Sequence, residues 1–174
     1  MGEQSGLSGQ AETQTETAHI EITQASAADA AEIAPLFDAY RQFYHQAEDV
    51  EAAQSYLAER LARGESVVLL ARLHTSAAGE TAEAPVVGFV QLYPIFSSIA
   101  LRRAWLLNDL FVAPVARRLG VGRALMQRAR DVGAETGSAE MMLQTGVANT
   151  PAQALYTSLG WARDDDYLTY LLTF

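Results

Sequence analysis

The sequence predicts an α/β protein in which one mixed sheet carries helices on its faces, and three observations lead there. Apolar residues make up 49% of the 174-residue chain, an ordinary globular share. Segments of period-two patterning are interleaved with segments of helical period, in the order β-α-α-β-β-β-α-β-α-β. No stretch of about 20 apolar residues is present to span a bilayer.

Residues 1–17 are mostly Gly, Ser, Gln, Glu and Thr, with Leu7 as the only large apolar side chain beyond Met1, and should form a disordered tail. Residues 18–174 are then expected to make a single domain, since the length suits one core better than two. Ile20 and Ile22 alternate with polar neighbours and mark a first strand over His19–Gln24. A helix is expected over residues 26–46, opened by a capping box between Ser26 and Asp29, with Ile33, Leu36, Phe37, Tyr40 and Tyr44 at helical spacing. A second follows over Val50–Ala62, closed by Gly64. Residues 66–74 read as a strand through Val67, Val68, Leu69 and Leu70, residues 75–84 as a hairpin loop, and residues 85–93 as the partner strand, stopped by Pro94.

After a loop holding Arg102 and Arg103, residues 104–112 form an apolar strand interrupted only by Asn108 and Asp109. Residues 120–135 have helical period in Val121, Ala124, Leu125, Arg128 and Val132. A strand over 139–145 follows, then a helix over 151–159 with Pro151 early and Gly160 just past its end. Residues 167–173 should close the chain as a strand.

Composition narrows the chemistry. With no cysteine, disulfides, thiolate zinc sites and a cysteine nucleophile are excluded, and His19, His45 and His74 lie too far apart to suggest a metal site. Of the formal charge of −9, three units sit in the tail as Glu3, Glu12 and Glu16, which leaves −6 on the body. That sign disfavours nucleic acid and suits cationic small molecules or basic peptides. The N-terminus has no basic start or apolar core of a signal peptide, so a cytoplasmic protein without membrane partners is expected.

The segment most informative about function runs over residues 110–123. A strand containing Leu110, Phe111 and Val112 enters a loop with Arg117, Arg118 and Leu119, and a helix then begins at Gly120, Val121, Gly122 and Arg123. Free amide N–H groups and the positive end of the helix dipole converge there, and glycines admit phosphate oxygens to the backbone. A Walker loop would need Lys and Ser or Thr after the last glycine, where Arg123 and Ala124 stand; a Rossmann fingerprint would need a third glycine where Leu125 stands. Downstream, Asn149 and Tyr156 are seven residues apart, near one side of a helix and its cap. A phenol there could protonate a leaving thiolate; equally, Asn149 suits a plain N-cap and Tyr156 a half-buried packing role.

Together these segments resemble the GCN5-related N-acetyltransferase (GNAT) family. Arg117, Gly120 and Gly122 match its Arg/Gln-x-x-Gly-x-Gly/Ala motif, and Asn149, Ala152, Leu155, Tyr156, Gly160 and Trp161 match its later pattern. The resemblance runs from Ile20 to the end and is strongest over residues 105–161. Residues 107–112 and the Phe43, Tyr44 region look like the diamine and polyamine acetyltransferases and the related histone and amino-acid branch.

The resemblance implies a GNAT fold, largely antiparallel, in which the strand ending at Val112 splays from the one over 139–145 and acetyl-CoA lies in the gap. Leu110, Phe111 and Val112 would offer main-chain groups to its pantetheine arm, amides of residues 118–123 would hold the pyrophosphate, and Asn149 and Ala152 would complete the cradle. A free N–H near Leu110 or Phe111 would polarise the thioester carbonyl. A primary amine, more readily a small amine, polyamine or amino acid than a protein, would attack directly, with Tyr156 as general acid. No metal is implied.

One departure from the polyamine enzymes is Asn108, which stands where they carry a glutamate and cannot accept a proton. Asp109 beside it becomes the candidate base, although a regular strand turns it to the opposite face. Substrate contacts are expected from Tyr40, Tyr44, Glu48 and Asp109, with His45, Asp49, Glu51, Arg102, Arg103, Asp164, Asp165 and Asp166 in the regions that serve the family's substrates. The alternative is a sensor that binds coenzyme A without turnover. The apolar final segment, if it forms an edge strand, would favour a homodimer.

Overall fold

In the computed structural model, which describes residues 19–74 and 84–174, five strands form one sheet in the order β1-β2-β3-β4-β5. They are β1 (His19–Gln24), β2 (Val67–His74), β3 (Val86–Ser97), β4 (Arg102–Val112) and β5 (Met141–Leu143). The first four make an antiparallel meander, and β5 runs parallel to β4. A parallel neighbour requires a crossover, supplied by α3 (Val121–Glu135). Helices α1 (Ala30–Phe43) and α2 (Val50–Ala62) precede β2, and α4 (Thr150–Ser158) follows β5. The sheet is thus mixed and largely antiparallel, with helices on both faces. The expected tail over residues 1–17 and residues 75–83 of the expected hairpin loop lie outside the described residues.

Period-two alternation in the strands sorts the core into two layers. Val68 and Leu70 of β2 join Ile33, Phe37 and Leu57 from α1 and α2, whereas Leu69 and Ala71 join Val121, Leu125, Met126, Ala129 and Val132 of α3. Those α3 residues recur at helical spacing, so one face of the helix is buried and the other stays polar. Fully burying a side chain such as Leu125 contributes about 1.5–3 kcal/mol. Gly88 lets α3 come close: a Cβ there would stand 3.0 Å from the Phe111 carbonyl oxygen and 3.1 Å from Val121 Cγ1.

The Ser26–Asp29 capping box forms, but it opens a 3-10 turn (Ala27–Asp29) that leads into α1. The helix ends at Phe43 instead of residue 46, and His45 adopts a left-handed φ of 63°. Asp38, a residue without significance in the sequence pattern, ties this corner together: its carboxylate accepts from Arg41 Nη1 (2.6 Å), Gln42 Nε2 (2.8 Å) and the Asp49 N–H (3.1 Å).

Four expectations are corrected. Pro94 does not stop β3, which runs on to Ser97. The β2 partner ends at Leu92, so β3 has an open side from Tyr93 onward and a residue lacking an N–H is tolerated there. Arg102 and Arg103 begin β4 instead of lying in a loop, and Arg103 stacks over Phe96 and Trp105, with its guanidinium 5.6 and 5.4 Å from the ring centroids. No strand forms over residues 167–173. Tyr167, Leu168, Tyr170, Leu171 and Leu172 are 79–89% exposed, because the three residues of β5 offer too short an edge to template a seven-residue segment. The expected strand over 139–145 is likewise reduced to β5.

Candidate active site

Pairing between β4 and β5 covers Trp105↔Met141, Leu106↔Met142 and Leu107↔Leu143, and stops there. It stops where β4 bulges: against β3, Leu107 opposes Leu92 and Asp109 opposes Gln91, so Asn108 is the extra residue. The bulge shifts the phase of the strand. Leu107 and Leu110 both pack on the α3 layer, while Phe111 packs on the α1–α2 layer. Beyond Leu107 the side of β4 toward β5 has no strand partner, and Gln144 and Thr145 diverge from it.

A cleft of about 670 Å³ opens at this divergence, within the roughly 300–1,000 Å³ usual for small-ligand sites. One wall is the β4 stretch Leu110, Phe111 and Val112; the far wall is Asn149, Ala152 and Tyr156 from α4. Arg117, Arg118, Gly120, Val121, Gly122 and Arg123 close one end, while Tyr40 and Tyr44 border it from the α1 side. Of the residues the sequence assigned to a cofactor, only Leu119 is outside the lining. Glu48 and Asp109, assigned to substrate, do not line it either, nor do Arg102, Arg103 or the exposed Asp164, Asp165 and Asp166.

The cofactor end fits an anion. Among the described residues, no backbone acceptor reaches the N–H groups of residues 118–123. Those of residues 120–123 are the orphan donors of a helix start, and every residue of the loop except Leu119 lines this end of the cleft. Two left-handed residues shape the loop, Arg118 at φ 63° and Gly120 at φ 90°. Arg117 is braced by its Nε donating to the Val112 carbonyl at 3.1 Å and by its guanidinium lying 5.8 Å from the Phe111 ring centroid. Arg123 reaches α4 through a 2.8 Å bond to Ser158 Oγ.

At the opposite wall, Asn149 caps α4 by accepting from the Ala152 N–H at 3.4 Å, so its capping role and its place in the cleft coexist. Tyr156 is half-buried against Trp161, with ring centroids 6.3 Å apart. Burial raises its pKa above that of a free phenol; Tyr44 adds to this and the Thr145 hydroxyl opposes it. The phenol therefore keeps its proton at neutral pH, as a donor must.

Asp109 is 5% exposed and lies behind the cleft wall, facing the α1–α2 layer. Burial raises its pKa, opposed by the Asn108 amide and the Tyr40 phenol. Asn108 Nδ2 donates to Asp109 Oδ1 at 3.0 Å, while Asp109 Oδ2 and Oε1 of the neighbouring Gln91 have no donor among the described residues. Gln91 Nε2 bonds the Tyr93 hydroxyl, which in turn lies 2.7 Å from the Tyr56 hydroxyl. The sequence pattern gave no role to Gln91, Tyr93, Tyr56 or Thr145. A glutamine at an inward position of a strand with apolar neighbours on either side was the available signal.

The described residues contain no group of three or more His, Cys, Asp or Glu that could hold a metal ion, and no helix long and apolar enough to cross a membrane. Comparison with known proteins points one way. The profile of the Acetyltransferase (GNAT) family matches residues 31–161. The chain is 43% identical over 151 residues to the uncharacterized N-acetyltransferase YhfO of Bacillus subtilis (strain 168), covering 87% of this chain and 95% of that one. It is 39% identical over 97 residues to a probable acetyltransferase of Haemophilus influenzae, covering 56% of this chain and 61% of that one. The crystal structure of a probable acetyltransferase superposes with a TM-score of 0.80 at 40% identity, over 88% of this chain and 97% of the other. The aminoglycoside N-acetyltransferase AAC(6')-Iy in complex with CoA shares the fold at 19% identity, with a TM-score of 0.69 over 90% and 96% of the chains.

Proposed function

The chain belongs to the acetyltransferase (GNAT) family and is an N-acetyltransferase of that type, and on that premise we propose that it transfers the acetyl group of acetyl-CoA to a primary amine of a small molecule, by direct attack in a ternary complex. The observation that carries this is the single cleft into which the unbonded amides of residues 118–123, the splayed edge of β4 and the Tyr156 hydroxyl all open. Bound there, acetyl-CoA supplies an activated thioester carbonyl.

The protein's own residues do the rest. Amides of residues 118–123 bind the pyrophosphate, with Arg118 and Arg123 adding positive charge. Leu110, Phe111 and Val112 present main-chain groups left free by the splay, and an N–H of this stretch stabilises charge on the carbonyl oxygen. Asn149 and Ala152 shape the opposite wall. Tyr156 donates a proton to the departing sulfur. Tyr40 and Tyr44 border the acceptor side, and Asp109, through water or a phenol, takes up the amine proton. The net negative charge of the body favours cationic acceptors. We infer further a cytoplasmic protein without nucleic-acid or membrane partners, one domain over residues 18–174, and a homodimer, which the exposed apolar C-terminal segment supports.

Free-thiol release from acetyl-CoA with a panel of amines tests the proposal. Turnover with at least one amine is expected; acetyl-CoA binding without thiol release from any of them would favour a sensor.

A further inference from the structure

Resting on that reaction, we propose that the acceptor amine docks between Asn108 Oδ1 and Tyr40 Oη, and that Tyr40 hands the amine's proton to Asp109 behind it. The placement starts from the bulge. Asn108 is an exposed residue of the cleft wall, yet its amide Nδ2 is held by Asp109 Oδ1 at 3.0 Å. A primary amide held through its nitrogen turns its oxygen away from that partner, here toward the cleft, as an acceptor.

Tyr40 reaches the same point from α1. Its ring stands edge-on to Phe89 and Phe111, with centroids 5.9 and 6.1 Å away, which sets the phenol over the β3–β4 pair where Asp109 lies. Asp109 and Tyr40 sense each other: the carboxylate raises the phenol's pKa and the phenol lowers the carboxyl's. In the proposed arrangement the phenol turns its proton to Asp109 and not to the neighbouring Tyr44 hydroxyl, and so presents lone pairs to the cleft. Two acceptors backed by one buried carboxylate therefore face the cleft, a combination that selects an N–H donor with at least two protons, hence a primary amine, over an alcohol or a carboxylate.

The proton movement balances. As the amine nitrogen bonds to the thioester carbon, one N–H proton passes to Tyr40 Oη and the proton Tyr40 carried passes to Asp109. The C–S bond breaks, and sulfur takes the Tyr156 proton. After product leaves, Asp109 returns its proton through Tyr40 to water in the emptied cleft, and the Tyr156 phenolate takes a proton from that water. The polar groups that face the pair are Tyr44 just past α1, Tyr56 on α2, Gln91 and Tyr93 on β3 and Asn108 on β4. Asp109 is the only carboxyl among them, and its unpartnered Oδ2 leaves it capacity for the incoming proton.

Two measurements test this. In protein labelled with 13C at the aspartate carboxyls, with the Asp109 signal assigned by its loss in Asp109→Asn, Tyr40→Phe should move the Asp109 titration upward, because the anion loses a donor. An unmoved titration would overturn the contact. With the amine turned over fastest among 1,4-diaminobutane, spermidine, L-lysine and glycine, Tyr40→Phe and Asp109→Asn should each lower kcat about 10²-fold at pH 7, and the double variant no further. Both single variants should recover as pH rises toward 9. Losses that multiply in the double variant, or that persist at every pH, would make the two residues independent and overturn the relay. Absence of turnover with all four amines would defeat the proposed function itself, and the carboxyl titration would still decide the Tyr40–Asp109 pair.

Discussion

Asn108 donates its side-chain amide to Oδ1 of Asp109 at 3.0 Å, joining two adjacent residues that a regular strand would turn to opposite faces. The bulge at Asn108 makes that possible, and the same bulge ends the pairing of β4 with β5. One irregularity therefore opens the cleft, sets an amide on its wall and keeps a carboxylate behind it.

The buried carboxylate has a stability cost that is separable from catalysis. Because the Asp109 pKa is raised on folding, the folded state binds its proton more tightly than the unfolded chain. Stability from this group is complete below the unfolded value of about 3.9 and declines as pH rises through the raised folded value. Asp109→Asn should thus match or exceed the wild-type melting temperature at pH 7 while losing activity. A melting temperature that falls at pH 7 and not at pH 4 would show that the ionised carboxylate stabilises the fold instead.

At the cofactor end, Gly120 and Gly122 call for different tests. Gly120 sits at φ 90°, where any side chain strains the backbone, so its replacement mixes folding with binding. At Gly122 a Cβ would meet Leu155 Cδ2 at 3.4 Å and Val112 Cγ2 at 3.8 Å, ordinary contacts that fold can accept. Gly122→Val is expected to fold and to raise the acetyl-CoA dissociation constant at least tenfold, about 1.4 kcal/mol. Calorimetric titration giving unchanged affinity would remove the phosphate from this loop.

Asp38 sets the corner from which Tyr40 and Tyr44 reach the cleft. Burial opposes its ionised form, but bonds from Gln42, Asp49 and Arg41 outweigh burial, and its pKa is lowered. A lowered folded pKa means stability that is present above the unfolded value of about 3.9 and lost as pH falls through the folded one. Asp38→Asn should therefore lose stability at pH 7 and close the gap to wild type near pH 2. A constant gap between the two melting curves from pH 7 to 2 would assign the loss to packing alone.

The C-terminal segment exposes Tyr167, Leu168, Tyr170, Leu171, Leu172 and Phe174, a run that soluble monomers rarely leave uncovered. Light scattering at micromolar concentration should give a dimer, and a chain ending at Asp166 should give a monomer. A full-length monomer would count against the assembly.

Legibility of the fold followed local pattern. Val50–Ala62 is visible in the sequence to the residue because its apolar period and Gly64 coincide, and the capping box at Ser26 is a contiguous signal. What was not legible depends on partners far along the chain. Pro94 stays in β3 because β2 has already ended, and residues 167–173 fail to form a strand because β5 is short, neither of which a local window contains. In the site, the Gly120 loop and Tyr156 announce themselves by spacing. The bulge at Asn108 does not, since it exists only in the register with Gln91 and Leu92, and with it went the placement of Asp109 and the Gln91, Tyr93 and Tyr56 network.

Tyr156 carries the remaining proton, and its environment states what its loss should do. The ring packs on Trp161 and lines the cleft, while its hydroxyl is near Thr145, with burial holding the pKa above that of a free phenol. Tyr156→Phe keeps the ring and removes only the oxygen, so acetyl-CoA affinity should be nearly unchanged and kcat should fall about 10²-fold. Because the phenol is the proton donor, its raised pKa keeps it competent through neutral and mildly alkaline pH, and the variant's loss should be constant from pH 6 to 9. An acyl acceptor whose rate is limited by the amine proton instead would show a loss confined to low pH. Leaving-group substitution separates the two: a thioester of a more acidic thiol needs less protonation, so the Tyr156→Phe deficit should shrink with it, whereas a deficit unchanged across thiols would make Tyr156 a packing residue of the cleft wall.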